Sequence, residues 1–146
     1  MSKSNAFENA WLQLVFQNTN IANIGDATGL RGSATAGQLF FCLHTADPGE
    51  VGTQATNEVS YTGYTRVGVS RAGSAGFTVT DSSVSPAANV DFPACTAGTA
   101  TATHFSVGAA SSGATLVLYK GPISPNIAIS TGVTPRLTTA TAVTED

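Results

Sequence analysis

Four residues in the first half of the chain have side chains that commonly bind metals. His44 and Asp47 lie close together, and Glu50 and Glu58 follow them. Transition-metal sites usually take three or four protein ligands, often several of them His or Cys. The second histidine, His104, is distant in sequence. Asp47 precedes a Pro-Gly pair, and a carboxylate at this position commonly accepts a hydrogen bond from the backbone of the turn. The sequence therefore predicts no metal site and no cofactor.

The common catalytic motifs are absent from the sequence. It contains no phosphate-binding glycine loop, dinucleotide fingerprint or Gly-x-Ser-x-Gly elbow. Two of the nine acidic residues could approach each other as in a glycosidase. However, sugar sites usually add aromatic platforms, and the single Trp11 lies near the N-terminus, while Tyr61 and Tyr64 are expected to pack in a sheet. No catalytic residues are predicted, and we expect a protein that is not an enzyme.

The composition is poor in charge but rich enough in apolar residues for a core. Charged residues make up 10% of the chain and hydrophobic residues 42%, with a net charge of −3. Typical soluble domains carry roughly 25% charged residues. Two interpretations fit: a Thr-rich extracellular β domain, or a protein whose surface is covered by neighbours in an assembly. Nucleic-acid binding needs clustered basic residues. The six basic residues of this chain are scattered, which argues against it; they are Lys3, Arg31, Arg66, Arg71, Lys120 and Arg136.

The N-terminal segment lacks the apolar run of a signal peptide, and no stretch of about 20 apolar residues could cross a membrane. We therefore expect a protein made and kept in the cytoplasm, with no membrane partner. Cys42 and Cys95 could pair, but in a cytoplasmic chain buried free thiols are the favoured expectation.

One helix of about 12 residues is predicted near the N-terminus, because apolar residues recur at the three-and-four spacing of one helix face. These residues are Phe7, Ala10, Trp11, Leu14 and Val15. Asn5 followed by Glu8 resembles a capping box. The polar residues Glu8, Asn9, Gln13 and Gln17 are expected mainly on the opposite side.

This helix face is the predicted protein-interaction site, formed by Phe7, Trp11, Leu14 and Val15. Burying four such side chains offers roughly 6–12 kcal/mol as an upper estimate. The face could pack on its own β domain, or it could dock on a neighbouring subunit in the helix-in-groove mode. Both alternatives stay open at this point.

The rest of the chain predicts a β fold. A connector rich in Gly, Ala and Asn follows the helix, which gives an N-terminal helix and irregular connector arm at 1–37 and a β domain at 38–146. Alternation and turn residues predict strands at 38–45, 64–71, 76–80, 88–92, 103–109, 114–120, 126–130 and 135–143. Short strands with turns about every ten residues favour an antiparallel β-sandwich or a jelly-roll-like domain.

Several strings after Gln38 resemble a family of small virion structural proteins of tailed bacteriophages. They are LHTADPGE at 43–50, GTQATNEV at 52–59, YTGYTRV at 61–67, VDFPAC at 90–95, ATHF at 102–105 and TPRL at 134–137. Members of this family are often labelled tail-fibre proteins, and small β proteins of similar organisation also serve as cement or decoration proteins on phage heads. The resemblance implies a structural role in a virion and brings no catalytic residues.

Within that class, the sequence favours a head cement protein over a tail-fibre or baseplate component involved in host attachment. The chain has neither a coiled-coil stalk nor the repeats of a long shaft. We expect assembly in the host cytoplasm and placement on the capsid surface. The expected partners are the major capsid protein and the protein itself, as a dimer or trimer.

Overall fold

The structure is a computed structural model that describes residues 2–145. It contains one α-helix, α1, a short 3-10 helix at Gly73–Ala75 and nine strands. The helix α1 covers Asn5–Gln17; the strands are β1 Gln38–His44, β2 Val67–Ser70, β3 Phe77–Thr80, β4 Ser83–Pro86, β5 Val90–Asp91, β6 Ala100–Gly108, β7 Val117–Ile129, β8 Arg136–Leu137 and β9 Val143–Thr144.

The strands form three sheets, with the orders β2-β1-β6-β7, β3-β4-β9 and β5-β8. The pairs β1–β6, β6–β7, β3–β4, β4–β9 and β5–β8 are antiparallel. A mainly β fold with antiparallel sheets and one short N-terminal helix is consistent with a β-sandwich and confirms the predicted fold class. The jelly-roll arrangement stays a prediction. Within residues 2–145, no helix is long and apolar enough to cross a membrane.

The chain divides into two compact units. The first unit contains residues 1–38, 69–89 and 138–146, and the second contains 39–68 and 90–137. The first holds α1 and the sheet β3-β4-β9, while the second holds most of the four-stranded sheet and the pair β5-β8. The predicted boundary after residue 37 stays a prediction.

The N-cap of the helix lies one residue before the predicted cap, and the helix begins at Asn5. Ser4, not Asn5, is the N-cap, and its hydroxyl accepts a hydrogen bond from the Phe7 amide. The buried residues are Glu8, Leu12 and Phe16, so the placement of Glu8 on the polar side was wrong. The helix is apolar on more than one face. Leu12 and Phe16, four residues apart, form a buried stripe beside the predicted face. This stripe packs within the first unit, where the Phe16 and Phe77 rings meet edge to face at 5.0 Å.

The predicted irregular connector contains a closed turn. Ile21 and Leu30 exchange two backbone hydrogen bonds of 2.9 Å, and the side chain of Asp26 caps the bend between them. The side chain of Asn18 then bonds the backbone of Ser33 in both directions. The connector is therefore ordered by Asx-type hydrogen bonds, which leave no periodic signal in a sequence.

The predicted strands agree with the structure for β1 and β3, and they differ elsewhere. The turn predicted at Gly121-Pro122 is absent from the described chain, because both residues lie within β7 and pair with Phe105 and His104 of β6. The region predicted as one strand at 135–143 contains two short strands, β8 and β9. The short strand β4, Ser83–Pro86, was not predicted.

Strands β1 and β6 position the candidate site, because their two faces differ in chemistry. One face is apolar and buried, with Leu39, Leu43 and Val107 beside the stacked rings of Phe41 and Phe105. The opposite face carries Cys42, His44 and Ser106, all of which are fully buried. Polar side chains on a buried face need hydrogen-bond partners, and the long segment 45–66 supplies them.

Candidate functional site

The segment 45–66 returns along the end of β1 and pairs with its backbone. The Val59 amide donates to the Leu43 carbonyl at 2.9 Å, and the Thr45 amide donates to the Asn57 carbonyl at 2.8 Å. His44 and Glu58 form an isolated antiparallel bridge. This pairing places the polar residues of segment 45–66 beside the polar residues of β1.

An ion pair between Arg66 and Glu58 lies at the centre of the site. Two guanidinium nitrogens of Arg66 each bond a different carboxylate oxygen of Glu58 at 2.8 Å. The side chain of Arg66 is 2% exposed and that of Glu58 is 20% exposed. Burial alone would raise the pKa of Glu58, but the hydrogen bonds and charge of Arg66 outweigh it, so the pKa lies below its ordinary value.

The other donors of Arg66 bind the loop before β7. They reach the carbonyls of Ala110 at 3.1 Å and Gly113 at 2.8 Å, and the hydroxyl of Thr115 at 3.4 Å. With the two bonds to Glu58, all five N–H groups of the guanidinium have acceptors. Arg66 therefore joins two separate loops and has no donor left for a ligand anion.

Cys42 lies beneath this ion pair as a protonated thiol. Its Sγ lies 3.1 Å from a Glu58 carboxylate oxygen, and the hydroxyl of Tyr64 donates to it at 3.4 Å. Burial raises the pKa of Cys42 to about 12, and it outweighs the hydrogen bond from Tyr64, which acts to lower the pKa. Burial likewise raises the pKa of Tyr64 far above its ordinary range. Because a thiolate is the reactive form of cysteine, this residue is a poor nucleophile at neutral pH.

Gln54 is fully buried and connects three segments of the second unit. Its side-chain oxygen accepts from the Thr115 hydroxyl at 2.6 Å and from the Ala110 amide at 3.2 Å. Its side-chain nitrogen donates to the Phe40 carbonyl at 3.2 Å. A Cβ at Gly108 would lie 2.1 Å from the Gln54 side chain, so only glycine leaves room for this contact.

Each of the four residues considered for metal binding already has a protein partner. His44 donates through Nδ1 to the Thr56 carbonyl at 2.8 Å and accepts at Nε2 from the Ser106 hydroxyl at 2.8 Å. Burial lowers the pKa of His44, which favours this neutral form. Asp47 and Glu50 contact Lys120, and Glu58 contacts Arg66. Among residues 2–145, no three metal-binding side chains converge.

A groove of about 420 Å³ opens beside the ion pair. It is lined by Glu58, Val59, Ser60, Tyr64, Thr65, Arg66 and residues 111–113. Its two charged groups already bind each other, and its remaining polar groups are hydroxyls and backbone. The arrangement stabilises the loops around the groove and supplies neither an activated nucleophile nor a free general base.

The predicted interaction residues lie on α1 in the first unit. Phe7 is 36% exposed, while Trp11, Leu14 and Val15 are half-buried. They lie beside the buried stripe of Leu12 and Phe16 rather than on it. A docking role for this face stays a prediction.

Two further expectations concern Cys95 and Tyr61. Both cysteines are buried free thiols, as predicted. Tyr61 is buried, packs against Tyr64 with ring centroids 5.3 Å apart and donates its hydroxyl to the Pro93 carbonyl at 2.8 Å. The two tyrosines therefore do not form an exposed aromatic platform.

Sequence reasoning missed the network around Arg66, Gln54 and Cys42. One signal was available, since Gln54, Glu58 and Arg66 all fall within the strings that carry the family resemblance. In a chain with few charges, a Glu and an Arg eight positions apart in a strand-and-turn region are candidates for a buried pair. Their partners in the 109–115 loop could not be read from spacing, because they depend on the fold.

Comparison with known protein families gives a match over nearly the whole chain. The family model described as "Podophage GP4 fiber I protein gp80" matches residues 2–144. No curated protein matches the chain. The family is one of phage virion structural proteins, in agreement with the resemblance seen in the sequence. The chain thus belongs to the podophage fiber I protein gp80 family and is a structural component of a phage virion.

Proposed function

We propose that the protein is a non-enzymatic subunit of a phage tail fibre that acts by binding other virion proteins and further copies of itself. The observation that carries this proposal is the family match over residues 2–144, whose description names a fibre protein. This description favours the fibre over the head cement role that the sequence favoured. Binding of the major capsid protein on the capsid surface becomes the alternative outcome of the test.

The arrangement of polar groups supports a structural role. Arg66, Glu58 and Gln54 bind segments of their own chain, and the Cys42 thiol is protonated and buried. A fully bonded polar network fixes one conformation of the surrounding loops. Rigid loops lose little conformational entropy when they bind a partner, which suits a subunit that must assemble accurately.

Contact with neighbouring subunits would be non-covalent, through apolar burial at exposed surfaces. One candidate is the face of α1 formed by Phe7, Trp11, Leu14 and Val15. The buried residues Leu12 and Phe16 beside this face already hold the helix in place. The helix would then present the face formed by Phe7, Trp11, Leu14 and Val15 to a neighbour, while Leu12 and Phe16 stay packed in its own unit.

The test is the position of the protein in purified particles. Gold-labelled antibodies raised against the full chain are applied to intact particles, and particles from a phage with the gene deleted serve as the control. Label on the tail fibres is the expected result. Label spread over the capsid would overturn the fibre assignment and support the cement role.

A further inference from the structure

Strand β7 forms a long free edge of the four-stranded sheet. It is the last strand in the order β2-β1-β6-β7 and spans 13 residues, Val117–Ile129. Among residues 2–145, no backbone hydrogen bond joins β7 to a segment other than β6. A long edge strand with unpaired N–H and C=O groups is a template on which another chain can add a strand. The free edge of β7 is therefore the place where this fold is most open to strand addition.

The other sheet edges of the described chain are short. The opposite edge of the same sheet is β2, which has four residues. In the two smaller sheets, the edge strand β3 has four residues, and β9, β5 and β8 have two each. A short edge strand offers few groups for pairing, which is one of the ways in which proteins limit edge-to-edge association. Because β7 is long, its edge needs a different protection.

Two exposed prolines, Pro122 and Pro125, lie within β7. Pro122 is opposite His104 of β6, and residues directly opposite in an antiparallel pair alternate between exchanging two hydrogen bonds and exchanging none. Because proline has no N–H, the pair His104–Pro122 is of the second kind, in which the backbone groups point away from the partner strand. The Pro122 nitrogen then faces the free edge, where an added strand would need a donor.

An excursion interrupts the pairing of β7 directly after Pro122. The register of β6 and β7 passes from His104–Pro122 to Ala102–Ile127, so a single residue of β6 faces the segment 123–126 of β7. A bulge bends its strand and disrupts the hydrogen-bonding ladder, and such irregularities turn sheet edges away from partners. An added strand therefore finds a regular edge only before Pro122.

Charge contributes little to the protection of this edge. Edge strands are commonly blocked by charged side chains, lysine above all. Charged residues make up only 10% of this chain, and the single one in β7 is Lys120. Its ammonium group is held by Asp47 at 3.0 Å and by Glu50 at 3.1 Å. The prolines and the excursion are therefore the main barrier to an added strand.

We propose that Pro122, Pro125 and the excursion at 123–126 keep the free edge of β7 closed to other copies of this chain. A second copy is the partner to exclude, because it carries the same edge, and two such edges would pair in a self-complementary, two-fold contact. Subunits then contact each other through side-chain surfaces and not through a shared sheet. The inference goes beyond the proposed fibre role and does not depend on it.

The experiment compares the purified full chain with the double variant Pro122→Thr/Pro125→Thr. Threonine favours strands and supplies the missing N–H groups without adding a large apolar side chain. Sedimentation equilibrium measures association, and infrared spectroscopy detects intermolecular β-sheet; the wild type sets the baseline for both. The double variant is expected to associate at least about tenfold more tightly than the wild type and to gain the intermolecular signal.

Pro93→Thr is the matched control, because Pro93 lies outside the strands and its replacement leaves the free edge of β7 unchanged. It is expected to associate as the wild type does. Ser124→Lys, added to the double variant, is the rescue. Ser124 is exposed in the excursion, and a lysine on an edge strand opposes pairing, so association is expected to return towards the wild-type level.

Thermal melting establishes that each variant is folded. If the double variant does not fold, Pro125→Thr alone decides the outcome, because Pro125 is exposed. A folded variant that associates only as the wild type does, or that associates without the intermolecular signal, would overturn the inference. So would Pro93→Thr if it associates as strongly as the double variant. The particle-labelling experiment uses wild-type particles, so the two proposals fail separately.

Discussion

Each unit of this protein uses one arginine to join distant segments, but the two arginines differ in their acceptors. In the second unit, Arg66 binds the Glu58 carboxylate on one side and a loop on the other. In the first unit, Arg71 donates only to backbone carbonyls, those of Leu14 and Val15 at the end of α1 and that of Ala36 in the connector. The first is a buried ion pair, and the second is a helix C-terminal cap.

The electrostatic consequences follow from this difference. The hydrogen bond to Glu58 raises the pKa of Arg66, whereas burial without a carboxylate lowers the pKa of Arg71. Removing one partner of a buried pair leaves an uncompensated charge, while removing a cap leaves carbonyls that water can reach. The second unit therefore depends more strongly on a single side chain than the first.

The largest expected effect comes from Arg66→Ala. The change leaves Glu58 without its counter-ion and frees acceptors at Ala110 and Gly113, so a loss of about 3–5 kcal/mol in the free energy of unfolding is expected. Urea unfolding measures it. Arg136→Ala is the control, because its ion pair with Asp91 is exposed and such pairs contribute roughly 0–1 kcal/mol. Equal losses in the two variants would contradict a buried role for Arg66.

The second prediction separates the two apolar stripes of α1. Leu12 is fully buried, so Leu12→Ala is expected to lower the free energy of unfolding by about 2–5 kcal/mol. Trp11→Ala is expected to lower it less but to weaken incorporation into particles about thirtyfold, which corresponds to about 2 kcal/mol. Melting temperature and occupancy on particles stripped of wild-type protein are measured together. Normal occupancy by folded Trp11→Ala protein would remove the docking role from this face.

The third prediction tests the cap. Arg71→Ala removes three hydrogen bonds to backbone carbonyls at a half-buried position. We expect the free energy of unfolding to fall by about 1–2 kcal/mol. Circular dichroism in the helical band should show fraying of α1 before global unfolding. Arg71→Lys, which keeps the charge but not the planar set of donors, is expected to fall between alanine and wild type. A variant with unchanged helix signal and unchanged stability would contradict the cap.

The smallest effect concerns pH. Because burial lowers the pKa of His44 in the folded state, the unfolded chain binds a proton more readily, and stability falls as the pH drops below the unfolded value of about 6.5. The depressed pKa of Glu58 acts in the same direction at lower pH. The melting temperature of the wild type should fall as the pH is lowered from 7 to 5, and that of His44→Asn should fall by less.

The sequence predicted the positions of helices and strands better than it predicted which of their faces are buried. Helix α1, β1 and β3 followed from periodicity, yet the buried stripe of α1 was misplaced because apolar residues occupy both of its adjacent faces. The turn expected at Gly121-Pro122 lies within β7 instead, since β7 is the last strand of its sheet and edge strands tolerate proline. At Gly121 a Cβ would lie 3.1 Å from the Phe105 ring, so this glycine serves packing rather than a turn.

The candidate site was harder to predict than the fold. His44, Asp47 and Glu58 were recognised as polar residues with chemical potential, but their partners Ser106, Lys120 and Arg66 are set by strand register and loop closure. Long-range hydrogen bonds of this kind depend on three-dimensional proximity, which spacing along the chain does not encode.

The buried thiols have a consequence for the life of the particle outside the host. A virion leaves the reducing cytoplasm and meets dissolved oxygen for long periods, and thiol oxidation proceeds through the exposed thiolate. Cys42 and Cys95 are each about 1% exposed or less, and the pKa of Cys42 is raised to about 12. Burial therefore protects both thiols from sulfenic acid formation and accidental cross-linking for as long as the subunit stays folded.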